Sequence, residues 1–125
     1  MTEATYGPVE FTLEPERVAD FARAVGADPA GGVPPTYAAV YALGPTARQL
    51  FEDPAAHVDF AHLVHAEQEF ELQRHPEVGE TVSSVGRVAS DTERRGIRFL
   101  VLESECSDQA GRPFCRSRAL FVIRP

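Results

Sequence analysis

Pro34-Pro35-Thr36-Tyr37-Ala38-Ala39-Val40-Tyr41-Ala42-Leu43-Gly44-Pro45 opens on two prolines, runs apolar for seven residues from Tyr37 and closes on Gly-Pro. Proline suits the first turn of a helix, so a helix is expected from Pro35 or Thr36 to Leu43. Its residues are apolar on nearly every side, so it should be buried all round. Gly44-Pro45 should end or kink it, with a short, more polar helical piece over residues 46–51. A wholly apolar helix needs a cover, and the rest of the chain must supply one.

Upstream, residues 9–13 alternate Val9, Phe11 and Leu13 with Glu10 and Thr12, a half-buried strand. Pro15 opens a second helix with Val18, Phe21, Ala22 and Val25 on one stripe and Gly26 as its stop. Residues 28–35 hold three prolines and two adjacent glycines and cannot be regular.

Downstream of the loop at 52–62, strands are expected over 64–74, 81–89, 97–106 and 114–123, separated by turns. In the first of these, Val64, Ala66, Gln68, Phe70 and Leu72 share one face; His65, Glu67, Glu69, Glu71 and Gln73 share the other, unless a bulge shifts the register. Residues 97–106 are apolar enough to be central and covered on both faces. The fold class expected is α+β: one domain over residues 1–125, a curved, mostly antiparallel sheet of about five strands around a buried central helix.

The chain has 125 residues and a net charge of −7. That charge disfavours a nucleic-acid partner. Arg94, Arg95 and Arg98 read as a solvated turn, with contact to a carrier's phosphates as the minor alternative. All 12 basic residues are arginine, which removes lysine bases and Schiff-base chemistry. No apolar run suits a membrane span. Residues 1–8 lack the basic start and apolar run of a secretory leader. A cytoplasmic location is the expectation.

Cys106 and Cys115 are the only cysteines. A hairpin centred on the intervening turn puts Cys115 opposite Ser104 and Cys106 opposite Pro113. The thiols are then diagonal neighbours about 7 Å apart, too far for a bridge, and reduced.

Four stretches, in this order and spacing, resemble the N-terminal-type domain of MaoC-like dehydratases. They are Phe21-Ala22-Arg23-Ala24-Val25-Gly26 with Asp28-Pro29; Val33-Pro34-Pro35-Thr36-Tyr37; Leu63-Val64-His65-Ala66-Glu67-Gln68-Glu69-Phe70; and Glu103-Ser104-Glu105-Cys106 through Gly111. The resemblance implies a hot-dog fold, in which the sheet wraps the helix, and a likeness to the non-catalytic subunits of hydroxyacyl dehydratase heterodimers. It also implies a segment between the first helix and Pro34 that is missing here.

Active members resemble one another in a Gly-Asp-x-Asn-Pro-x-His run, whose Asp and His share the reacting water. No register supplies both groups. With Asp28 as the acid, the His position falls on Val33; with Pro29 as the proline, the two positions fall on Gly26 and Gly31. Asp28 is a surviving catalytic carboxylate or a loop residue capping amides. His65 is a base or an interface histidine.

Pro35, Thr36 and Tyr37 at the helix start are the candidate thioester-oxygen site, and Tyr37 with Tyr41 the candidate acyl contacts. His57, Asp59 and His62 have spacing too loose for a known zinc class, so no metal is expected. No cofactor is expected either.

The resemblance implies an acyl-CoA or acyl-carrier-protein thioester as ligand and a dimer, with itself or with a catalytic MaoC-like subunit. A hot-dog thioesterase would want a carboxylate early in the helix, and none occurs before Glu52. A non-enzymatic acyl-thioester-binding or pathway tailoring protein is the other alternative.

Overall fold

The computed structural model describes residues 4–125; residues 1–3 of the stretch read above for a leader lie outside them. The elements are β1 (Thr5–Thr12), α1 (Pro15–Ala24), a 3-10 turn (Pro35–Tyr37), a π turn (Ala39–Leu43), α2 (Gly44–Glu52), two 3-10 turns (Pro54–Ala56 and Phe60–His62), β2 (Leu63–Leu72), β3 (Thr81–Arg94), β4 (Ile97–Ser107) and β5 (Pro113–Ile123). The strands form one sheet in the order β1-β3-β4-β5-β2, with every neighbouring pair antiparallel. The sheet wraps the helical segment 35–52, the arrangement expected from the sequence.

Gly44-Pro45 neither ends nor sharply breaks that segment. Pro45 has no N–H to give the Tyr41 carbonyl one turn back. The chain widens into a π turn at 39–43, and the Tyr41 carbonyl accepts from Ser84 Oγ of β3 at 3.0 Å. One turn on, the buried Thr46 hydroxyl lies 2.8 Å from Ser104 Oγ of β4. Gly86 of β3 lies directly opposite Ser104, and an added Cβ there would stand 2.7 Å from Thr46 Cβ. A short-side-chain row in the sheet thus lets the helix approach closely.

The core divides along the helix. Near its start, Tyr37, Ala38, Tyr41 and Ala42 pack with Leu13, Val18, Val82, Cys106, Phe114 and Cys115. Near its end, Leu43, Ala47 and Leu50 pack with Val88, Leu100, Leu102, Ala119 and Phe121. The helix is not buried all round: Ala39, Arg48 and Gln49 are exposed. The five-stranded sheet is too narrow to close around it, so one side is left uncovered.

Four further readings change. First, β1 begins at Thr5, not Val9, because Gly7 and Pro8 form a bulge between Tyr6 and Val9 that the alternation hides. Gly7 has φ +85, its N–H donates to Gln49 Oε1 at 2.8 Å, and a Cβ there would strike the Ser84 carbonyl. Second, the turn expected over 90–96 is only two residues, Arg95 and Gly96, with φ of 54 and 80. Those angles give a tight hairpin, so residues 90–94 remain in β3.

Third, Cys106 sits directly opposite Cys115, not diagonal to it. Asp108 organises the connection, its carboxylate accepting from Ala110 and Arg112 amides, and the register shifts between Cys106 and Ser107. Both thiols are free and buried. Fourth, a bulge between His65 and Glu67 turns His65 to the inner face with Gln68, Phe70 and Leu72, and Val64 to the outer. α1 ends as expected: Gly26 N–H reaches the Arg23 carbonyl and Ala27 N–H the Ala22 carbonyl, a Schellman closure.

Two variants test the helix–sheet contact. Tyr41→Ala should cost about 3–5 kcal/mol, by truncating a fully buried aromatic. Ser84→Ala should cost about 1–3 kcal/mol, by orphaning the Tyr41 carbonyl. Urea titrations followed by circular dichroism read both; a Tyr41→Ala protein as stable as the parent would contradict a helix-centred core.

Candidate functional site

At the helix start, Pro35 carries no amide hydrogen, and the Tyr37 amide is spent on the Pro34 carbonyl at 2.9 Å. Thr36 is exposed beside them. Its amide is the one donor of the three not committed to an acceptor among the described residues. The rings of Phe21, Tyr37, Tyr41 and Phe114 follow in series, with centroids 5.0, 6.2 and 6.0 Å apart. Burial raises the Tyr37 hydroxyl and pushes the Tyr41 hydroxyl well above its ordinary range. Both stay neutral and act as hydrogen-bonding groups, not bases.

Arg74 lies over Phe114, 4.5 Å from its ring centre, and grips Glu80 through two bonds of 3.1 and 2.6 Å. That grip holds the Glu80 carboxyl below its ordinary range. These contacts fix the wall of the aromatic row.

The sequence-derived acid and base do not meet. Asp28 is exposed, and its carboxylate accepts from the Ala30 amide at 2.9 Å, the loop-capping arrangement. His65 lies beside the second half of the helix: its ring is 4.9 Å from Phe121, and its Nε2 is 2.9 Å from Gln68 Oε1. His62 Nδ1 is 2.7 Å from Asp59 Oδ2. His57 turns into a left-handed conformation, with φ 50. Among the described residues no cluster of three potential metal ligands forms.

A second feature went unread in the sequence. Beyond the end of α2 a cleft of about 810 Å³ opens, floored by Leu50, Val88, Leu100 and Ile123. Tyr6 Oη donates to Asp53 Oδ2 at 2.8 Å on its rim. Burial first, and then that carboxylate, raise the Tyr6 pKa to about 12. Arg98 holds Asp91 through two bonds of 2.8 Å and donates to the His57 carbonyl at 2.9 Å. Arg98 is therefore a structural clamp and not part of a solvated basic turn. The only advance signal was the placement of Asp91 and Arg98 across the hairpin.

Comparison with known proteins bears on the family and the fold. The model of the FAS1-like dehydratase domain region matches residues 1–117. The chain belongs to that family. A UPF0336 protein of Saccharopolyspora erythraea is 30% identical over 91 residues, which take in 73% of this chain and 58% of the relative. The chain thus spans little more than half the length of that curated relative.

Among solved structures, the HadBC 3R-hydroxyacyl-ACP dehydratase complex of Mycobacterium tuberculosis superposes with a TM-score of 0.74 at 21% identity, covering 97% of this chain and 94% of the other. HtdX of the same organism gives 0.81 at 20% identity, covering 98% and 51%. The hot-dog fold is shared with these MaoC-like dehydratases.

The buried thiols give this region a pH signature. Burial pushes Cys106 from 9.0 to about 11 and raises Cys115 in the same direction. A folded pKa above the unfolded one stabilises the fold below the unfolded value, and that stability fades as pH rises through the folded one. Stability should fall between about pH 9 and 11. In Cys106→Ala that slope should be shallower, even though the variant starts from a lower melting temperature; thermal melts in a buffer series read both.

Proposed function

We propose that this chain is a non-catalytic subunit of a MaoC-like (R)-specific enoyl-thioester hydratase or 3-hydroxyacyl dehydratase. The observation that carries the reading is the separation of Asp28 from any histidine: its carboxylate caps the Ala30 amide, and His65 packs beside the far half of the helix. Hydration needs a base to take a proton from water and an acid to protonate the α-carbon. A partner of the same fold supplies both.

This chain contributes the binding of an acyl-CoA or acyl-carrier-protein thioester. The Thr36 amide faces the thioester oxygen, where negative charge develops, and a preset donor there lowers the barrier. Pro35 fixes the turn, Tyr37 contacts the acyl group, and Tyr41 backs it one turn deeper. Family membership and the resemblance of the fold to a dehydratase complex support this role.

The purified chain should have no hydratase activity on trans-2-enoyl thioesters in a spectrophotometric assay. Co-expression with a hot-dog subunit carrying the Asp–His run should restore turnover. In that complex Tyr37→Phe should leave the melting temperature nearly unchanged and raise KM with kcat held. Turnover by the chain alone, abolished in Asp28→Ala, would overturn the assignment.

A further inference from the structure

We infer that the glutamates of the edge strand β2 select its docking partner: a hot-dog domain other than a second copy of this chain, one whose facing strand carries arginine or lysine on its outer side. The inference rests on the subunit reading above and names the chemistry of its partner.

The sheet has two edges, β1 and β2. β1 is interrupted by the Gly7–Pro8 bulge, and Pro8 has no N–H to give a neighbouring strand. β2 is longer and holds no proline, and one side of its backbone is unpaired. Such an edge is a ready template for another strand unless something blunts it.

Two features flank that backbone. Phe60 and Val64 are 62% and 46% exposed. Phe60 continues into a patch with Phe51, His65 and Phe121, which lies open between α2 and the start of β2. Further along, Glu67, Glu69 and Glu71 stand in a row on the outer face, all exposed. Arg118 and Arg116 lie opposite two of them on β5. Those guanidiniums reach the other way, to Glu103 at 3.7 Å and Glu105 at 3.5 Å. Among the described residues, no ion pair is made by Glu67, Glu69 or Glu71.

A symmetric dimer through β2 would run the two copies antiparallel about a two-fold axis. Side chains alternate with period two, so a continuous sheet keeps outer face beside outer face. Any register that brings residues 67–71 together then sets glutamate against glutamate, with Glu69 at or beside the axis. Like charges directly opposite destabilise strand pairing, and opposite charges favour it. The same edge therefore rejects itself and accepts a basic strand, while the apolar patch at its start supplies area to bury in either case.

The chain itself provides the probe. Native mass spectrometry and sedimentation would compare the parent, a Glu67→Lys/Glu69→Lys/Glu71→Lys variant, and a neutral Glu67→Gln/Glu69→Gln/Glu71→Gln variant, each checked by thermal melting. At micromolar concentration and low salt the parent alone should be monomeric. Mixed with the basic variant it should form an equimolar dimer, about tenfold or more tighter than its self-association, and salt should weaken that dimer. The neutral variant should self-associate more tightly than the parent.

A parent homodimer unchanged by the Gln substitutions would overturn the inference, as would a mixture that stays monomeric. Either result leaves the subunit reading to its own assay, since turnover restored by a catalytic partner would then place docking on another face.

Discussion

The close approach of a helix to a sheet, through residues with almost no side chain, governs this molecule. Ser84, Gly86 and Ser104 line up across β3 and β4 under residues 41–46. Gly86 admits Thr46, Ser104 meets its hydroxyl, and Ser84 satisfies the carbonyl that Pro45 strands. Burying a polar group without a partner is costly, so an apolar residue at Ser84 would leave the π turn unsupported. The aromatic row at the helix start and the cleft at its end both follow from that placement.

The parts of the fold legible in the sequence were those where side-chain periodicity and burial agree. Residues 35–43 read as the buried helix, and the alternation of the later strands gave the sheet. The misread parts were those where backbone geometry overrides side-chain pattern. A bulge at Gly7–Pro8 hid the start of β1, and a two-residue turn at Arg95–Gly96 replaced a longer loop. A register shift after Cys106 set the thiols face to face. Each depends on the backbone angles of a few residues, which leave little trace in an apolar/polar pattern.

The candidate site was less legible than the fold. Asp28 caps a loop amide and His65 lies beside the second half of the helix, positions that depend on a turn and a bulge. The Tyr6–Asp53 and Arg98–Asp91 contacts join residues 47 and 7 positions apart. Only the hairpin pair could have been suspected, since cross-strand partners near a turn follow from its position. No local signal couples Tyr6 to Asp53; their meeting is a product of the whole fold.

The bulge at Ala66 has a consequence in evolutionary terms. One extra residue lets a single strand serve two masters: His65 turns toward the aromatic patch while Glu67, Glu69 and Glu71 keep facing outward. Loss of the Ala66 codon would join His65 directly to Glu67 and restore regular alternation, with His65 still facing in and the acidic row still facing out. The lining of the patch beside α2 and the charge of the edge lie on opposite faces of one strand, so single substitutions can change either between homologues without the other.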